Sequence, residues 1–239
     1  MKLIQKKDNQ ITFTAEVDES LTNAIRRYLN QIPILAIEEV EISRNDSPLY
    51  DETIAHRMGL IPLKMDKATN KNKDIKLKLN TKKEGIVYSK ELNGSVNIVY
   101  EQIPITSLNK GQELEMVAIA RVGKGSKHSK FSPGLMFYRN IIDVKVDKNC
   151  PQEVIDSCPQ KILKLENGKV IVKDNYKCDM CGACIDINTK RKDSIELIPT
   201  KELMISLESF GQLSIEEIFK KSLEILKKDL KEVSKEISK

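Results

Sequence analysis

The sequence predicts an α+β protein that carries a cysteine-rich segment, and three observations lead to this prediction. Segments that alternate polar and apolar residues, as half-buried strands do, occur near both ends and in the middle of the 239 residues. Two other segments, one near each end, repeat apolar residues at helical spacing. All five cysteines lie between residues 150 and 184. We therefore expect regular α+β structure on both sides of a segment whose structure depends on its cysteines.

The N-terminal part of the chain predicts a strand, a helix and a second strand. Residues 11–17 alternate with the period of a strand. Ser20 can cap a helix over residues 21–29, where apolar side chains recur on one face. Pro33 ends this helix region, because proline disfavours helical geometry in the residue before it. Residues 34–42 then have the pattern of the second strand.

The middle of the chain predicts shorter elements. Asp51 can cap a short helix that ends at Gly59. Residues 64–83 are rich in lysine, a composition typical of a solvated, exposed excursion. Residues 95–100 and 114–122 are predicted to be strands.

The C-terminal part predicts a strand at residues 202–208 and a long helix after it. Ser214 and Glu217 have the spacing of a capping box at the start of this helix. An apolar stripe follows along about seven turns: Ile215, Ile218, Phe219, Leu223, Leu226, Leu230, Val233 and Ile237. The stripe can pack against a helix of the same chain or against a partner subunit, and the pattern leaves both alternatives open.

Three cysteines have the spacing of an iron–sulfur ligand loop. Cys178, Cys181 and Cys184 form C-x2-C-x2-C, and in two-cluster ferredoxins each half continues as x3-C-P, with the last cysteine ligating the cluster of the other half. Here Asn188 stands at that last position, whereas Cys158 with the proline after it is the tail of a preceding half. The four cysteines that remain therefore serve one and the same cluster.

The preceding ferredoxin half has lost its own three ligands. Counting back from Cys158 by the motif places Val154, Pro151 and Lys148 where cysteines would stand. We therefore predict one cluster on four cysteines, with [4Fe-4S] favoured. A [3Fe-4S] cluster is the alternative if Cys181 is lost or oxidised.

Zinc and disulfides are the competing interpretations of these cysteines. Structural zinc sites usually pair two C-x2-C knuckles across a longer loop, which is not the spacing here. A disulfide framework conflicts with the odd cysteine count and with residues 1–10, which are charged and lack the apolar region of an export signal. Cys150 fits no ligand position, so we interpret it as a small core or surface thiol.

Composition and the remaining motifs limit the possible functions. The chain is 40% hydrophobic and 31% charged, and it has no apolar run long enough to span a membrane. A net charge of +5 permits contact with nucleic acid, but the lysines are mostly interleaved with acidic residues, as on a solvated surface. Gly123 and Gly125 lack the spacing of a phosphate-binding loop. Nearby His128 is expected to be a hydrogen-bonding residue rather than a catalytic one.

Six stretches of the sequence, in the same order, resemble the alpha-like assembly subunit of archaeal DNA-directed RNA polymerase. This family is the counterpart of the N-terminal part of the bacterial alpha subunit and of the third-largest subunit of eukaryotic RNA polymerase II. The most specific stretch covers residues 50–63, YDETIAHRMGLIPL. The others are residues 21–29, 32–33, 111–114, 123–133 and 207–211.

The resemblance implies an interrupted domain organisation. Residues 1–45 and 196–239 would form an alpha-subunit-like dimerisation domain. Residues 46–144 would form a mainly β insert domain. Residues 145–195 would form a small ferredoxin-like iron–sulfur domain, with Cys158, Cys178, Cys181 and Cys184 as cluster ligands.

The resemblance also implies partners. Family members pair with the smaller subunit L, after which subunits N and P and the two large catalytic subunits join. DNA contact would be indirect, through the complex, and the location cytoplasmic. The three clustered aspartates of the polymerase catalytic site are absent, so we expect a scaffold with no catalytic residues of its own. Two other functions stay open at this point: a free-standing ferredoxin-like electron carrier and a zinc-dependent nucleic-acid-binding module.

Overall fold

The computed structural model describes residues 1–65, 74–147, 150–166, 169–187 and 195–238. Its contacts divide the chain into two compact units, each made of segments that are distant in sequence. The first unit consists of Met1–Lys6, Thr12–Thr22 and Phe137–Ser206. The second unit consists of Lys7–Ile11, Asn23–Met136 and Leu207–Lys239. The bounds that the resemblance implied for the dimerisation and insert domains stay a prediction.

The first unit is built on a four-stranded sheet. Its strands, numbered in chain order, lie in the order β1 (Lys2–Lys7), β2 (Gln10–Glu16), β12 (Ile195–Ser209) and β9 (Gly134–Val146). The strands predicted at residues 11–17 and 202–208 are therefore confirmed, although β12 begins earlier than the pattern indicated. Between β2 and β12, the buried hydroxyl groups of Thr12 and Ser206 share a hydrogen bond of 3.0 Å.

The cysteine-rich segment of the first unit contains only short elements. Helix α3 (Gln152–Asp156) precedes an antiparallel hairpin of β10 (Leu163–Glu166) and β11 (Lys169–Val172). A single 3-10 turn, Asn175–Lys177, leads to Cys178, and helix α4 (Ala183–Ile187) follows the cysteine loop. Lys148 and Asn188, which stand at cysteine positions of the ferredoxin motif, lie outside the described residues.

The part of the chain that the structure describes shows no separate ferredoxin-like iron–sulfur domain at residues 145–195, contrary to what the resemblance implied. The physical reason is a shared hydrophobic core. Ile142 and Val144 of β9 and Ile195 of β12 belong to the same buried cluster as the apolar side chains of the segment, namely Cys150, Val154, Ile155, Ile162, Leu163 and Cys178. The segment therefore packs on the sheet instead of forming a core of its own.

The second unit has a larger core around another four-stranded sheet. Its strands lie in the order β3 (Pro33–Asn45), β8 (Leu114–Lys124), β4 (Ile75–Thr81) and β6 (Asn93–Gly94). Every pairing in this sheet is antiparallel. Strands β5 (Gly85–Tyr88) and β7 (Pro104–Leu108) form a second antiparallel pair. The strands predicted at residues 34–42 and 114–122 are confirmed.

Helix α2 (Asp51–Gly59) fills one side of this core. Ile54 and Met58, four residues apart on one helix face, are fully buried and belong to the same cluster as Leu35 of β3. The predicted cap is displaced by one residue, because Tyr50 is the N-cap and Asp51 is already helical. The Asp51 carboxylate accepts a hydrogen bond of 2.7 Å from the Asn45 side-chain amide instead.

Two predictions for the middle of the chain are wrong. Residues 95–100 form no strand, and only an isolated bridge joins Ile98 to Leu63. Within the lysine-rich excursion, Ile75–Thr81 is strand β4, which pairs with β8 and alternates buried with exposed side chains. Residues 66–73 of that excursion lie outside the described residues.

Two longer helices complete the described elements. Helix α1 (Glu19–Leu29) begins earlier than predicted, because the Thr22 amide and hydroxyl both donate to the Asp18 carbonyl and thereby place Ser20 in the first turn. Helix α5 (Ile215–Ile237) begins as predicted. Ser214 Oγ accepts from the Glu217 amide at 3.3 Å, and the Glu217 carboxylate accepts from the Ser214 amide at 3.2 Å.

Candidate metal centre

Four cysteine side chains line one cavity in the first unit. Cys158 follows α3, Cys178 follows the 3-10 turn, Cys181 lies in the loop and Cys184 is in α4. The other lining residues are mostly apolar and include Val144, Ile162, Leu163, Ile195 and Leu197. The structure therefore brings all four predicted ligands together, and their role as ligands stays a prediction.

The backbone of the cysteine loop turns through two left-handed residues. Met180 has φ 58° and Gly182 has φ 80°, a region that costs a residue with a side chain roughly 1–2 kcal/mol. Gly182 adopts it without this cost, and an added Cβ there would meet nothing within 4 Å. These two reversals let three cysteines in seven residues face the same cavity.

Asp179 links the cysteine loop, residues 178–184, to the segment that carries Cys158. Its carboxylate accepts hydrogen bonds from the Gln160 side-chain amide at 3.0 Å and from the Cys181 amide at 3.3 Å. The Gln160 bond, with smaller contributions from Cys181, holds the pKa of the Asp179 carboxyl below its usual value. The bond between Gln160 and Asp179 thus joins the two parts of the sequence that supply the cysteines.

Burial and neighbouring charge both act on the thiol of Cys184. Burial raises the pKa of the Cys184 thiol, and the negative charge of ionised Cys178, Cys158 and Cys181 raises it further against a backbone hydrogen bond that lowers it. Thiolates that repel one another in a partly buried cavity are stabilised by a metal ion or cluster, to which they bind in deprotonated form.

The residues that line the cavity can be compared with what a cluster and a single ion each require. Among the described residues, no three histidine, cysteine, aspartate or glutamate side chains are arranged to hold one metal ion. A tetrahedral zinc site requires all four sulfurs to lie about 2.3 Å from one point. Four soft thiolates that line one cavity suit an iron–sulfur cluster. The residues present therefore fit such a cluster.

The site also contains a residue that the sequence did not indicate. The guanidinium group of Arg139, on β9, donates hydrogen bonds to the backbone carbonyls of Tyr176 and Cys178. Arg139 precedes Cys178 by 39 residues in the chain, so no local motif connects them. Only the packing of the cysteine segment on the sheet creates this contact.

Cys150 and His128, two other candidate residues of the sequence, have surroundings typical of structural residues. Cys150 is buried among the apolar side chains of the first unit and does not line the cavity. No disulfide joins any of the five cysteines, all of which lie in the described ranges. His128 caps the turn Ser129–Phe131 by accepting the Lys130 amide on Nδ1 at 3.2 Å, which confirms its hydrogen-bonding role.

Helix α5 of the second unit is only partly covered. Ile215, Ile218 and Leu226 are buried, as the N-terminal half of an apolar stripe should be. Farther along, Leu230, Val233 and Ile237 are 59%, 51% and 80% exposed. The spacing of three and four residues places these three side chains on one face.

Comparison with known proteins gives the family. A family model described as the RNA polymerase Rpb3/RpoA insert domain matches residues 40–142. The Archaeoglobus fulgidus protein "DNA-directed RNA polymerase subunit Rpo3" is 30% identical over 98% of this chain and 96% of its own length. The chain belongs to the Rpo3 family. The Rpo3 proteins of Methanosphaera stadtmanae and Thermococcus kodakarensis are each 32% identical, over 89% and 94% of this chain and 89% and 92% of their own lengths.

Membership of the Rpo3 family confirms the resemblance to the alpha-like subunit of archaeal RNA polymerase and the alpha-like fold with mainly β content. Rpo3 is part of DNA-directed RNA polymerase and is not itself catalytic, as the missing aspartate motif indicated. No helix in the described ranges is both long and apolar enough to cross a membrane.

Proposed function

We propose that the chain is an assembly scaffold of an archaeal DNA-directed RNA polymerase. It heterodimerises with subunit L and carries one iron–sulfur cluster. The observation that carries the proposal is the apolar face at the C-terminal end of α5, in a chain of the Rpo3 family. Subunits N and P and the two large catalytic subunits join this heterodimer in the cytoplasm, and the chain meets DNA only through the complex.

The exposed face of α5 has the properties of an obligate helical interface. Leu230, Val233 and Ile237 continue the stripe whose first half is already buried inside the second unit. Burying one such side chain fully stabilises an interface by about 1.5–3 kcal/mol. An amphipathic helix of subunit L, laid along this stripe, would give these side chains the apolar partner that they lack in the described part of the chain.

The interface is tested by replacing its apolar side chains with polar ones. In the double variant Leu230→Gln and Val233→Gln, we expect the affinity for purified subunit L to fall about 100-fold, since each buried side chain contributes about 1.4 kcal/mol or more and each 1.4 kcal/mol is a factor of about 10. Glu232→Gln, on the opposite face of the same helix, is the matched control and should bind as the wild type does. Wild-type affinity in the double variant rejects this face as the interface.

The proposed cluster is ligated by Cys158, Cys178, Cys181 and Cys184. When bound, it supplies iron–thiolate bonds that cross-link the end of α3 to the cysteine loop, which the small shared core alone holds weakly. A [4Fe-4S] form is favoured. Cys181 is the exposed member of the set, so its oxidation is the route to a [3Fe-4S] form.

Anaerobic co-expression with subunit L tests both parts of the proposal together. We expect a brown heterodimer with iron and sulfide bound to this chain. A stable lone monomer that couples to a reductase would instead make it an electron carrier. A colourless protein with one zinc and salt-sensitive DNA binding would make it a nucleic-acid-binding module.

The ligand assignment is tested separately by serine substitutions. Cys178→Ser and Cys184→Ser should each lower the iron content of the purified heterodimer, because serine does not replace a thiolate as a soft ligand. Cys150→Ser is the matched control, since Cys150 lies in the same core but away from the cavity. Equal iron loss in the control would reject the assignment.

A further inference from the structure

Arg139 connects the cysteine loop to the sheet of the first unit. One terminal nitrogen of its guanidinium donates to the carbonyl of Cys178 and the other donates to the carbonyl of Tyr176. The two acceptors flank Lys177 at the end of the 3-10 turn, immediately before the loop that carries the three closely spaced cysteines. Arg139 itself lies on a long strand, β9, whose Ile142 and Val144 are core residues.

The loop entrance has few other attachments in the described residues. The Asp174 carboxylate accepts the Tyr176 amide at 3.0 Å, a bond within the turn itself. The Asn175 side-chain amide donates to the Asp143 carboxylate of β9 at 3.4 Å, which is near the limit of a hydrogen bond. The ammonium group of Lys2, on β1, also lies 5.8 Å from the centre of the Tyr176 ring. The two Arg139 bonds are therefore the main hydrogen-bonded link between the turn and the sheet.

The planar guanidinium of Arg139, called the fork below, has a geometry suited to holding the turn on the sheet. A guanidinium presents its donors in one fixed plane, so two bonds to two carbonyls fix both the position and the orientation of the turn. A lysine ammonium carries its three donors on one nitrogen at the end of a flexible stem and does not reproduce that fixed orientation. Since Cys178 supplies one of the acceptors, the fork directly orients the backbone of a proposed ligand.

We propose that Arg139 is a positioning residue for the iron–sulfur cluster, one that sets the cysteine loop in its ligating geometry and places a positive charge beside it. The inference rests on the proposed cluster. Groups that orient the ligands of a metal typically change metal affinity by about 10- to 100-fold when they are removed. The fixed charge also favours the more negative, reduced state of a cluster, and charge is one of the factors that set cluster potential.

The test uses the full chain bound to subunit L, purified without oxygen, in four forms: wild type, Arg139→Gln, Arg139→Lys and Lys145→Gln. Lys145 is exposed on the same strand, so its variant is the matched control for loss of one positive charge. Two quantities are measured: the rate at which an iron chelator removes iron, and the reduction potential of the cluster.

We expect Arg139→Gln to lose iron about 10- to 100-fold faster than the wild type and to have a lower potential. Arg139→Lys should keep a potential near that of the wild type, because the charge remains. It should still lose iron faster, because the donors of a flexible ammonium do not hold two carbonyls in a fixed orientation. Lys145→Gln should match the wild type in iron loss. If Arg139→Gln does not fold, Arg139→Lys alone decides.

The two proposals fail in different ways. If the wild type holds iron and both Arg139 variants lose it at the wild-type rate, the positioning role is rejected and the cluster stands. If Lys145→Gln loses iron as fast as Arg139→Gln, charge alone explains the effect and the fork has no positioning role. If the wild type holds no iron, the cluster itself is rejected and the positioning role with it.

Discussion

The core of the second unit and the cysteine segment of the first unit are held together by different contacts. In the second unit, side chains from a sheet and from α2 form a continuous apolar core in which Ile54, Met58 and Leu77 have no exposed surface. The cysteine segment has short elements and shares a smaller cluster that includes the side chains of Cys150 and Cys178. The larger core is therefore expected to be stable by burial alone, and we predict that the cysteine segment depends on the proposed cluster.

A core substitution in the second unit should cost the most stability. Ile54→Ala removes a fully buried side chain, so we expect the free energy of unfolding to fall by about 2–5 kcal/mol. Chemical denaturation with and without an iron chelator measures it, and the loss should be the same in both. Ile86→Ala, at an exposed position of the same unit, is the control. A loss that depends on iron would contradict the view that burial alone stabilises this unit.

Iron removal should destabilise the cysteine segment and leave the core of the second unit unchanged. When chelated iron leaves, hydrogen-exchange protection of residues 150–187 should fall about 100-fold, equivalent to about 2.7 kcal/mol, since a ligand bound only by the folded state stabilises it by mass action. Protection of β8 in the second unit should not change. An equal loss of protection in both regions would show that the cysteine segment does not depend on iron more than the second unit does.

Two glycines with nearly the same positive φ, one in the cysteine loop and one in the second unit, separate the two effects further. Gly182 (φ 80°) lies in the cysteine loop and Gly111 (φ 84°) in the second unit, and an added Cβ meets nothing within 4 Å at either. Each Gly→Ala variant should therefore cost only the conformational penalty of about 1–2 kcal/mol. Gly182→Ala should weaken iron retention without changing the unfolding of the second unit. Gly111→Ala should destabilise the second unit without changing iron retention. Iron content measures the first effect and thermal unfolding the second.

An exposed charge network of the second unit should contribute least. Arg121 donates to Glu39 at 2.7 Å and to Asp74 at 2.8 Å, and its hydrogen bond holds the pKa of the Asp74 carboxyl below its usual value. A carboxyl whose pKa is lower in the folded state stabilises the protein fully at a pH above its pKa in the unfolded state. That stabilisation is lost as the pH falls through the pKa of the folded state. Arg121→Met should slightly reduce the acid sensitivity of thermal unfolding, because exposed pairs contribute little.

The control for this prediction is Arg26→Met. The Arg26 guanidinium bonds to the Asn23 side-chain oxygen, a neutral acceptor that does not titrate with acid. Its replacement should leave the pH dependence of unfolding unchanged. An equal change in both variants would remove Asp74 from the explanation.

Predictions from local patterns were reliable where the interaction is itself local. The capping box of Ser214 and Glu217 spans one helical turn and was found as predicted. The prediction for residues 95–100 was wrong because alternation does not supply a strand partner, and Ile98 meets only Leu63 in one bridge. For β4 the lysines concealed a strand, since alternate side chains face solvent while Leu77 and Leu79 enter the core.

The family and the four candidate ligands could be identified without coordinates. Spacing within seven residues, together with Cys158 and its proline, identified cysteines that the fold then gathers around one cavity. The shared core of the cysteine segment and the sheet, and the contact of Arg139 with the loop, became visible only in three dimensions. The reason is that spacing encodes which side chains can face one point, whereas contacts across 39 residues depend on how the strands between them pack.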